Sequence, residues 1–77
     1  MKKVQVWSAA WCPQCGPFKD GLTRNGVEFE VMDADTLQDK AVELGIRSLP
    51  TTLIIENDTE IARIPGPHLV KVMEALQ

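Results

Sequence analysis

The sequence predicts an α/β domain with element order βαβαββα, a four-stranded mixed sheet flanked by three helices. Three observations carry that prediction. Short runs of alternating hydrophobicity interchange with longer stretches of helical spacing, glycine, asparagine and proline punctuate them, and only the cluster Glu56-Asn57-Asp58-Thr59 separates the last two strand runs. The first half then reads as a βαβ unit, with parallel strands and a right-handed crossover, and the second adds a hairpin.

Val4 and Val6 alternate with polar neighbours and give the first strand. A helix is expected from about Pro13 to Asn25, where Cys15, Phe18 and Leu22 share a face and Asn25-Gly26 provides the stop. Pro17 lacks the N–H that would reach the Pro13 carbonyl, so a kink, or a helix regular only from residue 17, is expected. Val27, Phe29 and Val31 mark the second strand. Asp35 and Gln38 form a variant capping box for a second helix whose inner side is Leu37, Ala41 and Leu44, ended by Gly45. The β-branched run Thr51-Thr52-Leu53-Ile54-Ile55 suits a central strand, and Ile61 and Ile64 belong to its returning partner. Gly66-Pro67 leads into the last helix with proline at its first position, and Leu69, Val72, Met73 and Leu76 form its apolar stripe.

Composition narrows the function. A chain of 77 residues, 44% hydrophobic and 25% charged, is expected to form one domain over 1–77 and to bury about 60% of the surface exposed when unfolded. Net charge is −3 and the eight basic residues are scattered, which argues against nucleic acid as a partner. The start Met1-Lys2-Lys3 is too polar for a signal peptide and no apolar run approaches ~20 residues, so a cytoplasmic protein without a membrane segment is expected, acting as a monomer. Partners are therefore expected among proteins and small molecules.

Both cysteines of the chain lie in "WCPQC", residues 11 to 15. The predicted topology puts Cys12 at the carboxyl end of the first strand and the start of the first helix, where open α/β sheets hold their chemistry. The positive end of the helix dipole stabilises a thiolate there, and Pro13 leaves the amides of Gln14 and Cys15 to point at the Cys12 sulfur. Duller readings fare worse. A disulfide closing so short a loop adds little stability, and a metal site lacks ligands, since His68 is the single histidine. His68 reads as a solvated group at the start of the last helix and Lys19 as a solvated one near the thiols.

The segments "WCPQC", "GIRSLPT" and "ARIPG" resemble the thioredoxin family in type, order and spacing, at glutaredoxin-like size. That resemblance implies the minimal thioredoxin fold, a cis peptide at Leu49-Pro50, and a dithiol–disulfide oxidoreductase with Cys12 and Cys15 as catalytic residues, without metal or organic cofactor. It places Trp11, Pro13, Leu49, Pro50 and Gly66 at the substrate groove, with the Leu49 backbone offered to a bound strand. Substrates are then disulfide-containing proteins, ribonucleotide reductase among the kinds that similar short redoxins serve. Two departures stand out. Thioredoxins usually carry a buried aspartate where this chain has Val6, and glutaredoxins carry a glycine pair and an acidic residue where it has Pro65-Gly66-Pro67-His68. Thioredoxin reductase is therefore the expected electron source, and glutathione is the alternative. A non-catalytic binding module built on the same fold is the rival from another class.

Overall fold

The computed structural model describes residues 2–77. β1 (Lys2–Ser8) is the inner strand that joins the two halves. It runs parallel to β2 (Glu30–Asp33), with Val6 opposite Val31, and antiparallel to β3 (Thr51–Glu56), with Val6 opposite Thr52. β4 (Thr59–Pro65) pairs antiparallel with β3, and the sheet order is β2-β1-β3-β4. The element order and mixed sheet are those the sequence predicts.

Alternation along the strands builds a core on each face. Val4, Val6, Ile54 and Ile64 pack with Phe18 and Leu22 of α1 (Cys15–Arg24) and Val72 of α3 (Leu69–Ala75). Trp7 and Leu53 on the opposite face pack with Ala41 of α2 (Gln38–Glu43), flanked by Leu37 and Leu44. Side chains such as Leu22 and Ile54, both fully buried, each contribute about 1.5–3 kcal/mol.

Several boundaries depart from the sequence reading, each for a local reason. α1 begins at Cys15, not Pro13, and runs unbroken through Pro17. Pro17 occupies the third helical position, within the first turn, where backbone N–H groups have no partner inside the helix and a missing one costs nothing. At the other end Gly26 takes φ 74°, and the Val27 amide donates back to Leu22, so β2 joins the sheet only at Glu30. Val27 and Phe29 still pack against the α1 side of the core, whereas Val31 on the edge strand is exposed.

Ahead of α2 the turn is held by Asp33, whose Oδ1 accepts from the Asp35 and Thr36 amides, so Asp35 is not the cap. Asn57 (φ 53°) and Asp58 (φ 63°) form a two-residue turn of the I′ kind that continues the strand twist. In β4 the register slips: Ile54 faces Ala62 and Ile55 faces Glu60. Ile61 is the extra, exposed residue of a bulge, so it does not share a face with Ile64. α3 starts two residues later than expected, with His68 at its N-cap, because the His68 amide bonds the Gly66 carbonyl and leaves Pro67 in a tight turn. No helix of the described residues is long and apolar enough to cross a membrane.

Candidate active site

Three loops converge at the end of the sheet where β1 finishes and β3 begins. The first, between Ser8 and Cys15, folds into two successive tight turns, with the Cys12 amide donating to the Ala9 carbonyl at 3.1 Å and the Cys15 amide to the Cys12 carbonyl at 3.4 Å. The Cys15 amide is thereby spent on backbone and does not point at the Cys12 sulfur as expected from sequence. Cys12 and Cys15 are joined by a disulfide, with their Cα atoms 5.5 Å apart. Their environments differ. Cys12 is half-buried, whereas Cys15, on the inner face of α1 with Phe18 and Leu22, is 2% exposed.

Trp11, directly before Cys12, is 67% exposed, yet its ring is not free to swing. Its Nε1 donates to Asp35 Oδ1 at 3.2 Å, which ties the cysteine loop to the turn after β2. Asp35 is the residue that sequence reasoning misplaced as a helix cap. Nothing in the local pattern of Asp33 and Asp35 distinguishes the carboxylate that caps from the one that reaches another loop.

The second loop carries the cis peptide Leu49-Pro50. Thr51 Oγ1 donates to the Ser48 carbonyl at 2.5 Å, and the Gly66 amide donates to the Pro50 carbonyl at 2.7 Å. The carbonyls on either side of Leu49 are thus occupied, and the third loop is laced to the second. Gly66 has φ 87°, a left-handed conformation that favours glycine, and the His68 imidazole lies close over it, 3.0 Å from where a Cβ would stand. Pro13 is exposed, Leu49 half-buried and Pro50 buried. Lys19 is half-buried one turn beyond Cys15, and His68 is exposed.

Below Cys15 the sheet face is apolar at Val6, which is fully buried. The cross-strand partner of Val6 is Thr52, equally buried, whose Oγ1 has no hydrogen-bond partner among the described residues. The sequence reading passed over Thr52 because a threonine inside a β-branched run looks like strand propensity. An enclosed sulfur paired with a reachable one, at the meeting of three rigidly connected loops, is suited to exchange of a disulfide with a partner.

No family model matches the chain. Thioredoxin H2 of Arabidopsis thaliana is 32% identical over 68 residues, which cover 82% of this chain and 51% of that protein. A glutaredoxin of Pseudomonas aeruginosa is 34% identical over 53 residues, 69% of this chain and 63% of that protein. Among solved structures, Fasciola hepatica thioredoxin superimposes with a TM-score of 0.88 at 24% identity, covering 97% of this chain and 77% of that one. The chain is thioredoxin-like. It spans about half the length of thioredoxin H2 and somewhat less than two thirds of the glutaredoxin. The thioredoxin-like fold accounts for the placement of its CxxC motif at the first βα junction and of a cis proline before β3, at the same end of the sheet.

Proposed function

We propose that the chain is a protein-disulfide reductase that works through the Cys12/Cys15 dithiol. The observation that carries this reading is the inequality of the disulfide-linked pair, Cys12 half-buried at the loop and Cys15 enclosed beneath it. In the reduced protein the Cys12 thiolate attacks one sulfur of a substrate disulfide, forms a mixed disulfide and releases the first substrate thiolate, which takes a proton. Cys15 then loses its proton and attacks the Cys12 sulfur. The Cys12–Cys15 bond forms, the mixed disulfide breaks, and the second substrate sulfur leaves and is protonated. Two electrons pass to the substrate, which is reduced to a dithiol as the protein is oxidised.

Trp11, Pro13, Leu49, Pro50 and Gly66 are assigned to the substrate groove, and the Leu49 backbone is the segment offered to an extended substrate chain. Reduction back to the dithiol is assigned to a thioredoxin reductase. A glutathione-dependent cycle is the second reading, favoured by the glutaredoxin relative and opposed by Pro67-His68, which supplies no carboxylate where glutaredoxins have one.

Incubating Cys15→Ser and Cys12→Ser with an oxidised protein substrate tests the roles. Cys15→Ser accumulates a covalent adduct visible by intact mass, and Cys12→Ser forms little and reduces nothing. An adduct chiefly on Cys12→Ser would reverse the assignment, and absence of insulin reduction by the unmodified protein would favour a binding module. Coupled oxidation of NADPH through thioredoxin reductase, compared with that through glutathione and glutathione reductase, separates the two electron sources.

A further inference from the structure

Thr52 presents a puzzle that the disulfide form does not answer. It lies at the site end of β3, opposite Val6 on β1 and Ile64 on β4, on the face covered by α1, and it is fully buried with Oγ1 unpaired. A buried hydroxyl without a partner destabilises a fold, and valine has the same shape without that liability. Leu53, Ile54 and Ile55 in the same strand show that branched apolar residues fit its backbone.

Orientation of the βα unit supplies the partner. α1 runs back along β1, so its first residue, Cys15, lies at the same end of the sheet as Val6 and Thr52, while Leu22 lies toward Val4. Buried residues of the sheet on this face at and below that level are Val4, Val6, Ser8, Thr52, Ile54 and Ile64, and none of them titrates. Asp33, opposite Ser8 on the edge strand, is exposed and its Oδ1 is engaged by two backbone amides. Charged groups on the two helices are the half-buried Lys19 and the exposed Asp20, Arg24, Lys71 and Glu74, Arg24 lying at the far end of α1 from Cys15. Thr52 is thus the buried hydroxyl on β3 that faces the α1 side at the level of Cys15.

We propose that Thr52 is a positioning residue for the resolving step, donating its hydroxyl to the Cys15 sulfur, directly or across one water, once the Cys12–Cys15 bond has opened. In the disulfide Cys15 carries no charge and the hydroxyl has nothing to stabilise. In the mixed disulfide Cys15 must ionise inside an apolar shell, where desolvation opposes the thiolate and a donated hydrogen bond favours it. Threonine is no base; the proton still leaves to solvent or to the departing substrate thiolate. The hydroxyl holds the charge that remains.

The proposal rests on the resolving role of Cys15 given above, but its test does not need turnover. In reduced Cys12→Ser protein the ionisation of Cys15 is followed by thiolate absorbance, alone and combined with Thr52→Val or Thr52→Ser. Thr52→Val lowers the Cys15 ionisation constant about tenfold, and Thr52→Ser, which keeps the hydroxyl, restores most of it. With Cys12 intact, Thr52→Val slows decay of the mixed disulfide roughly threefold, the tenfold loss of thiolate being partly offset by its greater nucleophilicity, while the first attack by Cys12 is unchanged. Equal Cys15 ionisation in Thr52→Val and the parent, accompanied by a higher melting temperature, would overturn the proposal and leave a merely structural threonine. Unshifted ionisation with normal insulin reduction rejects Thr52 and keeps the proposed function. Shifted ionisation without insulin reduction does the reverse.

Discussion

Cys12 and Cys15 are three positions apart, yet one is reachable and the other is enclosed, so reagents that require a thiolate should separate them. Cys12 lies two residues before Gln14, the N-cap of α1, whose N-terminal dipole favours its charged form. Alkylation of the reduced protein as a function of pH is expected to show an inflection below the ~8.5 of a free cysteine. An inflection at or above that value would remove the helix terminus as the cause. Trp11 adds a second residue-scale expectation. Trp11→Phe and Asp35→Ala each delete the indole–carboxylate bond at the surface and should lower kcat/KM for a protein substrate about two- to tenfold while leaving the melting temperature nearly unchanged. The position of the two cysteines was legible because CxxC fits one helical turn and follows a strand. The partner of Trp11 was not, since Asp35 arrives from 24 residues away and its choice depends on how two loops close.

Individual elements show where local rules prevail and where neighbours override them. Pro17 looked like a helix breaker, but in the first turn it removes no bond. Pro17→Ala should therefore lower stability by about 0.4–1 kcal/mol, through a freer unfolded chain, instead of raising it by the ~3 kcal/mol expected of a helix interior. Denaturant titration distinguishes the signs. In β4, the bidentate pair of Arg63 with Glu60 sets a pH-dependent contribution. The hydrogen bond from Arg63 holds the Glu60 carboxyl below its ordinary 4.5. A depressed carboxylate stabilises above its unfolded pKa, and that stability is lost as pH falls through the folded one. Because both side chains are about one-third exposed, the effect is small: Glu60→Gln should cost about 0.3–0.5 kcal/mol at neutral pH and nothing once the carboxyl is protonated. The bulge beside this pair was invisible in sequence, because nothing in the run Thr59–Pro65 marks Ile61 as the residue left out of the ladder and turned to solvent.

Across the molecule the two cores share one sheet, and neither has a second layer behind it. Leu22 on the α1 side and Leu53 on the α2 side are each almost wholly buried. Leu22→Ala and Leu53→Ala should each cost about 2–5 kcal/mol, a large part of the stability of so small a fold, and both should unfold in one cooperative transition by circular dichroism and by tryptophan fluorescence. A transition that splits between the probes would mean that the two faces unfold separately. Architecture at this scale was readable because alternation in β1 and β3 and helical spacing in α1 and α3 agree with one another. Strand limits were less so: Val27 and Phe29 alternate like a strand, but the bond from Val27 to Leu22 that closes α1 keeps them out of the ladder.

The Asn57-Asp58 turn lies at the end of β3 opposite the one where Thr51 meets Trp7, about 17 Å away along a six-residue strand. The disulfide and the hairpin tip are thus separated by the length of the sheet. That separation makes the tip a handle: a fluorophore, an affinity peptide or an electrode linker installed between residues 57 and 58 would ride on the molecule without standing in the path of a docking disulfide. Redox cycling at an unaltered rate in such an insertion, with substrate trapping by Cys15→Ser intact, would turn the chain into a modular carrier of two electrons whose cargo can be changed without touching its chemistry.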